Sequence, residues 1–461
     1  MPSALQSAKL TAISNMDKKS TYTLSIYTQW FEDDGKLYLY NAQTGFFSEV
    51  PESTITILEE RLWNTLSKEE LDTLLKYHIL DTLLKYHIIE YDGSELDYYN
   101  ERSVELLSAQ YDPTVLNLVI VPTTMCNFGC PYCFEPKNNP ATMTDEVISD
   151  LIQFIASRER VKELNITWYG GEPLLAFERI KKIRKELQQD GLPDIKSEGL
   201  ITNGYLLTKE VCEYFKSTPL TNIQVTFDGN ETSHNKTRCL KGSGEPTFHK
   251  IYENLLNAAM ILPNVHISAR INIDKSNIKD FADMKRKIEN DFSDFPNVVV
   301  YFGLIRRDTE DGCSLCRSSI KPSDLNELAA KLNHYGLKDK VLPKIQPKGC
   351  MMQSSNHYII GPEGEIYKCW NDVTHKDRVI GHIKDNSIAN RTRLMRYLLH
   401  TSGQNQECQK CNVYPICDGG CGHYRYRNLF EGGKFNLCIS YKDKENLKKA
   451  LLEGYVRGQN A

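Results

Sequence analysis

The sequence predicts an α/β protein, and three observations predict it. Short apolar runs alternate with helical periodicity six times between about residues 116 and 336. A separate pattern of strands and then helices precedes them, and a cysteine-rich segment without regular alternation follows beyond residue 345. Parallel strands joined by helices wind right-handedly, so six such units form either an open doubly wound sheet or a partial barrel. Both put chemistry at the C-terminal ends of the strands.

The chain of 461 residues is 40% hydrophobic and 25% charged, enough apolar mass for two or three cores, which excludes disordered and fibrous classes. A net charge of -4 supplies no general pull towards phosphate backbones or anionic lipid, so no nucleic-acid or membrane partner is expected. No run approaches the roughly 18 apolar residues of a membrane span. The N-terminal 20 residues, MPSALQSAKLTAISNMDKKS, read as disordered and lack the apolar core of a signal peptide, so a cytoplasmic location is expected.

From Tyr22 to Val50 the chain reads as two or three strands, with turns at AspAspGly and ThrGly. Helical stretches then run from about Glu52 to His87, and IIEYDGSELDYYN follows as a hairpin turning at its AspGly. The order suggests a separate winged-helix-like domain over residues 21–105. Within it LDTLLKYHI occurs twice in succession, from Leu71 and from Leu80. A nine-residue shift turns the copy about 180° around a continuous helix, so the helix either breaks between the copies or is buried all round.

The six strands expected over residues 114–336 are LNLVIVPTT, LNITWYGG, SEGLITNG, NIQVTFDG, VHISARINID and NVVVYFGLI. Amphipathic stretches such as DEVISDLIQFIASR and FHKIYENLLNAAMIL separate them.

Fourteen cysteines in a large chain without an export signal point to metal ligation rather than a disulfide framework. Cys126, Cys130 and Cys133 lie directly after the first strand in a CxxxCxxC spacing. Three thiolates do not close a tetrahedral zinc site, but they can hold three irons of a 4Fe-4S cube and leave the fourth open to a cofactor. Eight cysteines lie between Cys313 and Cys421, and Cys438 closes the set. Four of them, Cys408, Cys411, Cys417 and Cys421, form CxxCx5CxxxC. One such fixed spacing arises by chance about once in a few thousand chains of this composition. A zinc ribbon is the competing reading of these pairs. Cys212, in an amphipathic stretch, reads as a core residue.

CxxxCxxC at the end of the first of repeated βα units resembles the radical S-adenosylmethionine (SAM) superfamily. That resemblance implies a partial (β/α)6 TIM-like barrel and a SAM-binding 4Fe-4S cluster. It implies that the cluster, held by Cys126, Cys130 and Cys133, cleaves SAM to a 5'-deoxyadenosyl radical. It further implies that Gly170, Gly171, Glu172 and Pro173 contact the methionine amino group and that Tyr132 lies near the adenine. Thr226 and Arg238 match positions touching the ribose and the carboxylate, and Ile271 one packing on adenine. The C-terminal cysteines resemble the SPASM extension over residues 345–445, which binds two auxiliary 4Fe-4S clusters, three clusters in all. By that resemblance Cys350, Cys369 and Cys421 serve auxiliary cluster I, and Cys408, Cys411, Cys417 and Cys438 auxiliary cluster II. A fourth ligand for cluster I is expected from Cys313 or Cys316, with Cys316 preferred because it lies closer in sequence to the following segment. Residues 446–461 read as a C-terminal helix or tail.

SPASM-containing radical enzymes mostly modify peptides or proteins. In the sulfatase-maturase branch an Asp follows the cysteine of the Gx4C motif; here Trp370 follows Cys369, and Asp372 stands two residues further on. The other branch, maturases of ribosomally made peptides, commonly begins with a winged-helix domain that grips the precursor's leader as an added strand. The expected function is therefore cross-linking, carbon–sulfur or carbon–carbon, in a leader-bearing precursor peptide, with flavodoxin or ferredoxin as electron donor. Formylglycine formation is the alternative. A reading of another class, a non-catalytic iron–sulfur electron carrier or a zinc-stapled binding protein, leaves GlyGlyGluPro and the six βα units unexplained.

Overall fold

The computed structural model describes residues 22–60, 79–94, 96–133, 140–275, 277–305, 350–400, 405–417 and 419–459. The N-terminal part contains β1 (Tyr22–Leu24), β2 (Thr28–Asp33), β3 (Lys36–Asn41), β4 (Phe46–Val50) and β5 (Ile89–Tyr91). Strands β2, β3 and β4 form an antiparallel meander. Its first turn has positive φ at Asp34 and Gly35, the two-residue hairpin geometry that AspGly favours. Helices Glu52–Glu59 and Ile79–Lys85 pack beneath it, burying Ile55, Leu58, Leu80 and Leu83 against Leu39 and Ile89.

IIEYDGSELDYYN does not form the expected hairpin. Its first part is β5, which pairs with β1 instead, and its second part opens the helix Asp97–Gln110. The alternation stops at AspGly, and Tyr99 and Arg102, three apart on one helical face, bury together with Gln110 at the helix end. The second LDTLLKYHI copy supplies the helix Ile79–Lys85; most of the first lies outside the described residues.

All six expected barrel strands form: β6 (Val115–Ile120), β7 (Glu163–Trp168), β8 (Asp194–Thr202), β9 (Leu220–Phe227), β10 (His266–Ile273) and β11 (Val298–Leu304). They pair in parallel in consecutive order. The order never reverses across the sheet as in a doubly wound fold, so right-handed crossovers all fall on one face and the sheet curls into a partial barrel. Each helix shows its reason locally. In Asp145–Ala156 the Thr144 hydroxyl caps the Val147 N–H, and Ile148, Leu151, Phe154 and Ile155 bury one stripe. Each fully buried apolar side chain of this kind contributes about 1.5–3 kcal/mol. Cys212 is fully buried on its helix, as expected of a core residue.

The sheet continues past the barrel. Strand β12 (His357–Ile360) runs parallel to β6, and β13 (Glu365–Tyr367) and β14 (Gly381–His382) extend it antiparallel. The cysteine-rich segment thus shares a nine-stranded sheet with the barrel and contributes Ile360 and Ile366 to its core. A second shared core joins the N-terminal meander to this segment: Tyr27, Phe31, Tyr40 and Tyr99 pack with Val413, Tyr414, Ile416, Leu447 and Leu451. No described helix is long and apolar enough to cross a membrane.

Candidate active site

The loop leaving β6 carries the first three cysteines. Cys126 and Cys130 are half-buried against the barrel core and Cys133 is exposed. The Phe128 N–H points at Cys126 Sγ, 3.4 Å away. Burial nonetheless pushes the Cys126 thiol up to about 12, and Glu172 and Cys130 push the same way. A metal would be needed to hold it as the thiolate.

The loop leaving β7 fits closely against this one. Gly170 has a φ of +143°, and a Cβ there would stand 2.3 Å from the Thr123 carbonyl oxygen. A Cβ on Gly171 would stand 2.3 Å from that of Met125. Only glycine permits this approach. Glu172 is fully buried, and burial raises its pKa. Its Oε1 accepts from Leu174 N (3.1 Å) and Thr202 Oγ1 (2.7 Å), and its Oε2 from Asn203 N (2.7 Å). The carboxylate therefore ties the GlyGlyGluPro segment to the end of β8, and Oε2 keeps acceptor capacity for one further donor. Pro173 is buried at the start of a 3-10 turn, Pro173–Ala176.

Tyr132 joins the cysteine loop to the ends of β9 and β10. Its hydroxyl lies 2.6 Å from both Asp228 oxygens, and it receives Arg238 Nη1 at 3.0 Å and Asn272 Nδ2 at 3.3 Å. Thr237 Oγ1 donates to Asp228 Oδ2 at 2.6 Å. Arg238 is buried over the Phe128 ring, and its Nε has no hydrogen-bond partner among the described residues. Behind it, buried His234 accepts at Nδ1 from the Asp228 N–H (3.4 Å) and meets Thr247 Oγ1 at Nε2 (3.0 Å). Burial, reinforced by Arg238, lowers its pKa to about 2.

Thr226 pairs in register with Arg270 on the face that carries Asp228 and Asn272. Ile271 is placed otherwise than expected. It stands beside Phe227 and Phe302, which pack on Phe248 and Phe281 of the outer helices, so it faces the helical layer and not the site. Alternation along the strand gives the site Asn272 instead.

The C-terminal cysteines gather in two groups. Cys350, Cys369 and Cys421 interact electrostatically with one another. A Cβ on Gly422 would lie 3.9 Å from that of Cys350. Cys408, Cys411, Cys417 and Cys438 are likewise mutual neighbours. Gly420, at φ +76°, brings its loop so close to Leu437 that a Cβ would stand 2.2 Å from the Leu437 carbonyl oxygen. Among the described residues no three His, Cys, Asp or Glu side chains converge at the spacing of a single metal ion. A four-iron cube asks instead for thiolates around a volume. Cys313 and Cys316 lie outside the described residues.

Trp370, after Cys369, packs edge-on against Tyr169, with ring centroids 4.5 Å apart. Asp372 is fully buried. Tyr397 donates to its Oδ2 at 2.9 Å, Arg378 to its Oδ1 at 3.3 Å, and His423 Nδ1 lies 3.7 Å from Oδ1.

Residues 120–288 match the family model described as Radical SAM superfamily. This span holds all three cysteines, GlyGlyGluPro and the Tyr132–Asp228–Arg238 cluster.

Residues 120–288 are a radical SAM domain.

The protein is a radical SAM enzyme, so SAM and a 4Fe-4S cluster are its cofactors, which sets aside the non-catalytic carrier and zinc-stapled readings. The cysteine-type anaerobic sulfatase-maturating enzyme of Clostridium novyi is 23% identical over 72% of this chain and 96% of its own length. The serine-type enzyme of Bacteroides thetaiotaomicron is 24% identical over 69% of this chain and 85% of its own. The solved structure of native anSMEcpe with bound AdoMet and a peptide shares the fold. It has a TM-score of 0.57 and 20% identity, covering 75% of this chain and 98% of that one.

Sequence reasoning about this radical SAM enzyme missed Asp228, Asn272, Thr237, Thr202 and Asn203. Two signals were present. Asp228 ends a strand in the manner of a site residue, and Arg270 and Asn272 alternate with apolar Ile271 and Ile273 on an otherwise buried strand.

Proposed function

We propose that this enzyme abstracts hydrogen from a ribosomally made precursor peptide and so forms a thioether or carbon–carbon cross-link in it. One observation carries the choice of reaction. Trp370 stands where a sulfatase maturase would have its Asp, and the carboxylate of nearby Asp372 is buried and engaged by Tyr397 and Arg378. It offers no base to a substrate. The matches to its sulfatase-maturase relatives also leave more than a quarter of this chain uncovered. The N-terminal meander and its helices supply a peptide-recognition domain whose sheet edge would take the leader as a strand.

When bound, SAM and its cluster supply a carbon-centred radical that takes a hydrogen atom from the substrate. The chain's own residues place it. Cys126, Cys130 and Cys133 would hold the cluster. Arg238, with its unpartnered Nε, would meet the SAM carboxylate; Thr226 the ribose; Tyr132 the adenine end; and the Gly170–Pro173 segment the amino group. Cys350, Cys369 and Cys421 would hold one auxiliary cluster, and Cys408, Cys411, Cys417 and Cys438 another, three in total. Flavodoxin or ferredoxin would supply the electron.

Formylglycine formation is the second reading, favoured by the names of the relatives. The test is anaerobic turnover, with SAM and reductant, of a short peptide encoded beside the gene, against a sulfatase-derived peptide. A product that has lost two hydrogens and carries no aldehyde supports cross-linking. An aldehyde reactive with hydrazide on the sulfatase peptide overturns it.

A further inference from the structure

Ile271 faces the helical layer, so alternation along β10 turns Arg270, like Asn272, into the barrel. The Arg270 Nε donates to Asn272 Oδ1 at 3.0 Å. Asn272 Nδ2 in turn reaches the Tyr132 hydroxyl and Asp228 Oδ1, both at 3.3 Å. Arg270 thus stands one residue away from the cluster that holds the cysteine loop. Its head has room on β11, where a Cβ on Gly303 would lie 2.6 Å from Nη2 and 2.7 Å from Cζ. Gly303 has no positive φ, so its missing side chain provides space and not backbone freedom. Gly303 is in register with Asn272, two residues beyond Arg270, so the guanidinium leans towards the strand ends that carry the site.

This cation is left uncompensated. Arg184 is paired with Glu198, and Arg238 with Tyr132 and Asp228. No carboxylate among the described residues pairs with Arg270, and its Nη1 and Nη2 donate no hydrogen bond there. Asp228 is already engaged by Tyr132, Thr237 and Asn272. The placement of SAM does not use it either, since Arg238 would take the carboxylate and the Gly170–Pro173 segment the amino group. A half-buried guanidinium fixed at Nε, with both terminal nitrogens open, presents the planar fork that pairs with a carboxylate. The way in is open: β11 ends the sheet, and Val299 and Tyr301, in register with Ser268 and Arg270, are exposed.

We propose that Arg270 binds a carboxylate of the substrate peptide, from an Asp or Glu side chain or the chain terminus, and so selects which residue is presented to the radical. The inference rests on the peptide-substrate reading. It names the preferred substrate as a peptide with an acidic group close to the residue that is modified.

The test uses the reconstituted full chain with SAM and whichever peptide it turns over, the one encoded beside the gene or the sulfatase-derived one. Failure of the cross-linking reading therefore leaves the test intact. Each Asp of the peptide is changed to Asn, each Glu to Gln, and separately the terminal carboxyl is amidated. One of these changes is expected to raise KM, and Kd in fluorescence anisotropy, by about tenfold or more, and it identifies the source of the carboxylate. Arg270→Gln is expected to weaken binding of the unaltered peptide as much and to be indifferent to that one change, the non-additivity of a direct pair. Arg270→Lys keeps the charge without the fork and is expected to fall between. Losses that simply multiply overturn the inference, as does a peptide series without effect. If Arg270→Gln weakens SAM binding in equilibrium dialysis and leaves peptide affinity unchanged, the guanidinium serves the cofactor and the inference falls.

Discussion

The hydroxyl of Tyr132 lies 2.6 Å from both carboxylate oxygens of Asp228, across 96 residues of sequence. This bond pins the loop of Cys126, Cys130 and Cys133 to the end of the fourth barrel strand. Tyr132→Phe is expected to lower unfolding free energy by about 1.5–3 kcal/mol, the range for a bond to a charged acceptor. Asp228→Ala is expected to cost more, since it leaves buried Arg238 without its nearest carboxylate. Chemical denaturation checks both, and equilibrium dialysis should show weaker SAM binding in each variant.

Replacing Cys126, Cys130 and Cys133 together by Ala is expected to abolish 5'-deoxyadenosine formation. About 8 of about 12 irons should remain, two four-iron clusters of three. Chromatography of the nucleoside product and a colorimetric iron assay are sufficient; retained SAM cleavage would contradict the assignment.

Gly171→Ala tests the contact between the first two loops. A Cβ would meet the Met125 carbonyl oxygen at 2.3 Å, backbone that does not yield as a flexible side chain would. The expected cost is about 1–3 kcal/mol, with a raised Kd for SAM. Gly191→Ala serves as the control: its Cβ meets no atom within 4 Å, so only strain at its positive φ of +87° would be felt.

His234 sets a pH dependence whose sign follows from its burial. Its pKa falls from 6.5 to about 2 on folding, so below pH 6.5 the unfolded chain takes up a proton that the folded one refuses. Stability from this residue is complete above 6.5 and falls with pH, by up to about 1.4 kcal/mol per unit. His234→Gln is expected to flatten that slope between about pH 7 and about pH 5.5. Equal slopes in urea denaturation would show that His234 does not carry it.

Deleting residues before Thr114 reveals how far recognition and chemistry separate. The sequence suggests independent domains, but Tyr27, Phe31, Tyr40 and Tyr99 share a core with Tyr414 and Ile416 beside Cys408 and Cys411. The truncated enzyme is expected to lose precursor binding in fluorescence anisotropy and also about a third of its iron. Full iron content would show that the shared core is dispensable to the cluster.

What the sequence determined by itself was whatever depends on neighbours along the chain. The six parallel strands follow from the period of their apolar residues, and the positions of Cys126, Cys130 and Cys133 follow from the strand that precedes them. The glycines of Gly170 and Gly171 were legible as a motif, although the carbonyls that require them were not. Tertiary structure decided the rest. Whether Ile271 or Asn272 faces the site depends on which side of β10 the helices cover, a fact that one strand's residues do not contain. The meeting of Tyr132, Asp228, Arg238 and Asn272 depends on the register of β9 with β10. That β12 continues the barrel sheet, and that Tyr27 shares a core with Tyr414 and Ile416, are long-range pairings chosen by the burial of whole surfaces, so no local pattern announces them.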